Sequence, residues 1–266
     1  MQSLIARGHI VFALGMIAFG LLSFVFGEPV QGLMPLPAGV TAHAPWAYFS
    51  GSVLMVAGVA VLAGWQTRLA AIAIAAMLLL WLLFLHAPKL AANVRDGGEW
   101  TCAFETLALC GAAWIFAASL AASPLESSRI DAAVARMGWL GRYLFGVSLP
   151  AFGILHFIYN DYVASVIPGW IPAHMFWAWF TGVAHFAAGV AILVNVKARL
   201  AATLAGVMYG CWVLILHVPR ALAAPNSRAE WTSLAVALSL TGAAWLVAAS
   251  FPRPLHSNAG QLAATA

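Results

Sequence analysis

Charge is what this chain most lacks. Asp, Glu, Lys and Arg make up 8% of its 266 residues, against 64% hydrophobic residues and a mean hydropathy of +0.93. A soluble domain carries about a quarter charged residues, so the shortage excludes an ordinary water-soluble domain and makes lipid the expected solvent. Cysteine is scarce too. Cys102, Cys110 and Cys211 all fall inside apolar runs with no Cys-x-x-Cys pair, which argues against a disulfide framework and leaves three small buried hydrophobes. The 12 basic residues stand scattered, without the patch that nucleic acid requires, so the net charge of +4 does not point to that partner. No His-Glu-x-x-His motif is present. A signal-peptide cleavage site is also missing. Arg7 precedes an apolar run, but Phe24, Val25 and Phe26 stand where small residues would be needed, and a retained helix is expected.

What the chain has in abundance is long apolar runs. Spans of the roughly 20 residues that cross a bilayer core occur at 9–27, 46–64, 69–85, 102–118, 143–158, 177–195, 200–216 and 232–250. The expected fold class is therefore an all-α membrane protein with eight transmembrane helices.

These spans repeat. Shifting the second half by 131 residues superposes His43 on His174, Trp46 on Trp177, Gly51 on Gly182, Arg68 on Arg199 and His86 on His217. The same shift pairs Pro88 with Pro219, Glu99-Trp100-Thr101 with Glu230-Trp231-Thr232, and Gly111 and Trp114 with Gly242 and Trp245. Apolar residues would coincide by chance in so biased a composition; His, Trp, Pro and Glu would not. Near the start of each copy the shift becomes 133, aligning Ala18-Phe19-Gly20 with Ala151-Phe152-Gly153 and Glu28 with Asp161. Four spans per copy, an even number, make the copies parallel rather than inverted. The expectation is two parallel tandem four-helix bundles, at 1–120 and 141–255, with a linker at 121–140 and a flexible tail at 256–266. In the linker, Ser128 and Asp131 have N-cap and N3 spacing, with Ile130, Val134 and Met137 on one face; a short amphipathic helix follows, lying on the membrane or packed on the bundle.

Eight of the 12 basic residues fall on the side of the N-terminus, among them Arg68, Arg142, Lys197 and Arg199. The positive-inside rule then places both termini in the cytoplasm. His43, His86, Glu99, His174, His217 and Glu230 consequently form one layer at the extracytoplasmic ends of their helices.

Several of these residues carry alternative readings. His86-Ala-Pro88 and His217-Val-Pro219 read as helix stops with an imidazole favoured by the helix dipole, or equally as ligand or proton-relay positions. Glu99 and Glu230, each followed by Trp and Thr, read as helix-start acids with an interfacial anchor, or as partners of the histidine across a short loop. The second copy adds two histidines: His156 replaces Ser23, and His185 replaces Leu54. His185 lies eleven residues beyond His174, about 16 Å deeper and near mid-bilayer, where an imidazole needs a partner. The first copy has Glu105 where the second has Val236, an acid inside its span that must be protonated, hydrated or paired. His156, His174 and His217 come from three helices of one copy and form a candidate metal set, with Glu230 beside it. Bis-histidine haem ligation has less support. Trp170 and Trp177, in a stretch dense with Trp179, Phe176 and Phe180, are candidates for holding a quinone or another flat apolar molecule.

The stretches Phe152-Gly-Ile-Leu-His156-Phe, Ile167-Pro-Gly-Trp-Ile-Pro172, Leu216-His217-Val-Pro219-Arg220 and Asn226-Ser-Arg-Ala-Glu230-Trp231-Thr232-Ser give the chain its likeness to a known family. The pattern resembles the DoxX-like family of bacterial membrane proteins, in a fused double unit. Relatives of that family include the DoxD-type membrane subunit of a thiosulfate:quinone oxidoreductase, so the resemblance implies a redox setting in a bacterial inner membrane, with an extracytoplasmic or membrane redox partner. It supplies no catalytic set that can be carried onto positions here. Three functions follow as expectations. The first is a redox-associated protein binding a metal, quinone or small apolar substrate in the His/Glu/Trp layer. The second is a non-catalytic anchoring or assembly subunit, and the third a proton-coupled small-molecule transporter. The sequence does not decide whether the chain is an enzyme.

Overall fold

The computed structural model describes residues 2–120, 133–134 and 136–252. Among these residues the chain is helical with no strand, and eight helices are long and apolar enough to cross a membrane. They are α1 (Gly8–Phe26), α2 (His43–Leu62), α3 (Thr67–Ala92), α4 (Gly97–Ser119), α5 (Gly138–Ile158), α6 (His174–Leu193), α7 (Ala198–Ala223) and α8 (Arg228–Ala249). The chain is an all-α, multi-pass membrane protein. The start of the expected linker helix and the tail at 256–266 lie outside the described residues; of the expected apolar stripe, Val134 is buried and Met137 exposed.

Lipid tails are as apolar as leucine, so helices in a membrane associate through close packing of small residues. Glycines set the contacts here. A Cβ on Gly20 would sit 2.6 Å from the Gly51 carbonyl oxygen, and one on Gly153 would sit 2.7 Å from that of Gly182, which fixes α1 on α2 and α5 on α6. Likewise a Cβ on Gly111 would meet the Gly141 carbonyl oxygen at 2.7 Å, and one on Gly242 that of Gly8 at 2.8 Å. These two contacts join α4 to α5 and α8 to α1.

The packing redraws the expected pair of bundles. Consecutive helices pack in order, α8 closes onto α1, and α4 meets α8 across the middle. Among the described residues α1 meets α4 chiefly where the His9 and Phe116 rings stack at 5.9 Å, and α5 makes no substantial contact with α8. The first helix of each half therefore leans on the fourth helix of the other half, and α4 and α8 are shared walls of two five-helix rings. Over each span's most apolar stretch, 78% of α8 and 61% of α4 is buried, against 33–44% for the other six, as expected of a central pair.

Neither Pro88 nor Pro219 ends its helix. Each of α3 and α7 passes through a π turn, Leu82–His86 and Val213–His217, and continues as α-helix to Ala92 and Ala223. The Ala87 N–H donates to the Leu82 carbonyl and the Val218 N–H to that of Val213, five residues back. This wider turn places the proline in the first turn of the next helical segment, where its missing N–H costs little. Each π turn ends on the histidine.

The loops that follow are pinned alike. The side chains of Asp96 and Ser227 cap α4 and α8 by accepting from the backbone N–H groups of Glu99 and Glu230. The indoles of Trp100 and Trp231 each donate to a carbonyl six residues upstream, Val94 and Pro225, at 2.9 Å. At the opposite face, Arg199 donates to the carbonyls of Ala248 and Phe251 at 3.0 and 2.9 Å. Arg142 bonds the side chain and carbonyl of Ser250 and lies over the Phe251 ring. The orphan carbonyls at the end of α8 are thereby held by arginines from α5 and α7.

Candidate functional site: a vestibule in the second half

The two histidines at the π turns have opposite surroundings. His86 is 0% exposed, and its Nδ1 lies 2.7 Å from Glu99 Oε1. Its Nε2 lies 3.0 Å from the Leu33 carbonyl oxygen and 3.2 Å from Thr106 Oγ1. The Thr106 hydroxyl already donates to the Cys102 carbonyl, so both groups at Nε2 accept, and the Nε2 proton is shared between them. The second Glu99 oxygen takes Lys89 Nζ at 2.8 Å. Every polar atom of His86 is engaged.

In the second half Lys89 is replaced by Arg220 and Thr106 by Ala237. The guanidinium binds Glu230 through both oxygens, Nε to Oε2 at 2.9 Å and Nη2 to Oε1 at 2.6 Å. A planar fork matches a carboxylate in a way an ammonium does not. Glu230 is thus drawn to arginine, the threonine hydroxyl is gone, and His217 Nδ1 is left buried with no hydrogen-bond partner.

His217 lines a cavity of about 580 Å³ walled by α4, α5, α6, α7 and α8. Its rim includes the exposed residues Gln31, Tyr162 and Ala229, together with Arg220 and Glu230. Its interior is lined by His156, His185, Tyr209, Trp212 and Phe152 and, from the first half, by Glu105 and Cys102. Tyr209 is eight residues before His217 along α7, so the cavity extends about 12 Å inward from that histidine, toward mid-span. It is a vestibule opening at the face opposite the described chain ends.

Its floor is polar and unsatisfied. His156 Nδ1 donates to the Phe152 carbonyl at 2.8 Å and His185 Nδ1 to the Thr181 carbonyl at 2.7 Å, each one turn back on its own helix. A carbonyl only accepts, so both rings carry their proton on Nδ1, and in the uncharged ring Nε2 is a bare lone pair. Their ring centroids are 4.9 Å apart, and Tyr209 stands 5.4 Å from His185. The buried oxygens of Tyr209 and Thr232 have no hydrogen-bond partner. Glu105 makes no hydrogen bond or ion pair with any described residue. Orphaned polar atoms around a cavity are the signature of a site that holds a polar molecule or water.

Of the residues singled out from sequence, His156, His185, His217, Glu230 and Glu105 meet around the vestibule. His86 and Glu99 form their own closed cluster. His43 pairs with Glu28 at 2.9 Å and with the Val40 carbonyl, stapling the first loop. The expected metal set of His156, His174 and His217 is not assembled: among the described residues no three His, Cys, Asp or Glu side chains are grouped to hold an ion. His174 opens α6, about 16 Å along the axis from His185, and does not line the cavity. Trp170 and Trp177 do not line it either. Trp170 is 72% exposed, and Trp177 packs on Phe176 and Phe180. The tryptophan at the site is Trp212, which sequence reading missed along with Tyr209. Tyr209 stands where the first copy has Leu78, the same polar-for-apolar exchange that marks His185.

No family model, curated protein or solved structure matches the chain.

Proposed function

We propose that this chain is a DoxX-like protein of the bacterial inner membrane, with both termini cytoplasmic, that works in a redox setting by holding a small quinone-type ring in the vestibule of its second half. The observation that carries the reading is the set of buried, unpaired polar atoms, Tyr209 Oη, His217 Nδ1 and Thr232 Oγ1, on residues that line a cavity shared with Phe152, Trp212 and Leu216. A flat ring with oxygen at its edge satisfies the polar atoms while its faces meet the apolar wall. A volume of about 580 Å³ falls in the usual range for small-molecule sites. Isothermal titration of the detergent-purified chain with tetramethyl-1,4-benzoquinone tests this. Saturable binding that weakens at least about tenfold in Tyr209→Phe and Trp212→Leu is expected; absence of saturable binding by either the quinone or its hydroquinone overturns the reading.

A transport role is favoured by one observation, that the vestibule extends from one face toward mid-span. Flux of a ring compound into proteoliposomes that depends on His185 and Glu105 would establish it over a purely redox-associated role.

A further inference from the structure

The balance of donors and acceptors at the vestibule floor carries a statement about the ligand that the presence of a cavity does not. His185 is 6% exposed and faces the cavity with its Nδ1 proton committed to Thr181, so Nε2 is turned over to whatever enters. His156, its ring 4.9 Å away, is committed in the same way to Phe152. Neither Nε2 has a hydrogen-bond partner among the described residues. Glu105 adds a carboxyl that offers an acceptor oxygen in either protonation state and is unpaired. Against these three acceptors stand two unpaired hydroxyls, those of Tyr209 and Thr232, each of which can donate one proton.

A floor rich in acceptors calls for a ligand rich in donors. A ring bearing carbonyl oxygens alone can accept from Tyr209 and Thr232 but leaves both imidazole lone pairs unmet, in a place where water has been displaced. A ring bearing hydroxyl groups can accept from Tyr209 and donate to an imidazole through the same oxygen. Sites built around a ligand hydroxyl discriminate strongly against the analogue without it, because the buried partner is left unpaired. The first half shows what the same positions look like without this demand: Ser23, Leu54 and Leu78 replace His156, His185 and Tyr209, and all three are 0% exposed.

From this geometry we infer that the vestibule selects the reduced, hydroxyl-bearing form of its ring ligand, a hydroquinone-type molecule, over the oxidised dicarbonyl form. The inference rests on the proposed ring-binding function and narrows it to one redox state. Anaerobic titration of the full chain with tetramethyl-1,4-hydroquinone and, separately, with tetramethyl-1,4-benzoquinone decides it. The hydroquinone is expected to bind at least about tenfold more tightly, and the ratio is expected to fall toward one in the variant carrying His156→Ser and His185→Leu, residues the first copy already accommodates. Glu105→Gln supplies a check in a chain with both histidines intact, and a smaller loss of preference is expected. Equal affinity for the two forms, or a preference that survives the double substitution, overturns the inference while leaving ring binding standing. If neither form binds, the ring-binding reading falls and this inference with it.

Discussion

The two halves of the molecule are built from one pattern and solve one local problem differently. Each places a histidine at the end of a π turn, a carboxylate at the start of the following helix and a cation between them. With lysine as the cation, the carboxylate serves His86 and Lys89 together and the cluster closes. With arginine, the bidentate fork takes both carboxylate oxygens and His217 is left facing a cavity. Beneath it, Leu54 and Leu78 fill the first half while His185 and Tyr209 line the vestibule of the second. The difference teaches that in a duplicated chain one copy can supply structural closure while its twin keeps the polar groups that closure would have consumed.

The join between the halves is where substitution should cost most. Gly242→Leu would drive a side chain into the backbone of Gly8 and Phe12; a loss of more than about 4 kcal/mol or failure to fold is expected, read by detergent thermal unfolding and size-exclusion chromatography. Normal stability in that variant would break the shared-wall description. Next, His86→Ala should destabilise by about 3 kcal/mol, because it empties a buried polar position and leaves one oxygen of buried Glu99 unpaired, Lys89 holding only the other. His217→Ala should change stability by less than about 1 kcal/mol, since Nδ1 there makes no bond to lose. Similar unfolding temperatures for these two variants would erase the contrast between the halves.

Glu105→Val, which installs the residue found at the equivalent position of α8, should stabilise the chain by about 1–2 kcal/mol while weakening ligand binding, because it removes an unpaired carboxyl from within a span. A destabilised variant would mean that Glu105 has a structural role. The smallest effect is expected from Arg220→Lys. It should cost under about 1 kcal/mol, as Arg220 is 40% exposed, and should let Glu230 reach His217 in the manner of Glu99. Nitrogen-15 NMR of the imidazoles would register that shift as a change at His217 alone; an unchanged His217 signal would show that the cation does not decide the difference.

Much of this architecture is legible in the residues. The eight spans follow from the length of apolar runs, since a bilayer admits no other use for them. Comparing the copies also marks His156, His185 and Glu105 as departures, and the three meet at one cavity. Tyr209 in place of Leu78 is a departure of the same kind, but a phenol within a span passes for one more apolar residue. Trp170 and Trp177 stand in a stretch dense with aromatics, yet such density near a helix start mainly reflects the membrane interface. Pro88 and Pro219 do not stop their helices because proline's missing N–H and its crowding of the carbonyl four residues back are both accommodated by a π turn that ends two residues earlier.

By itself the sequence determined the solvent, the number of spans and the repeat, because hydropathy and periodicity are properties of the chain read in order. Only the tertiary structure decided which helices face each other. That α1 leans on α8 and α5 on α4 depends on glycines 8, 111, 141 and 242 meeting across a distance the sequence does not encode. From that exchange comes the site itself: α4 becomes a wall of the second half, and Glu105, a residue of the first copy, opens into the vestibule of the second. Whether His217 is sealed or free was likewise settled in space, by the geometry of one guanidinium against one carboxylate.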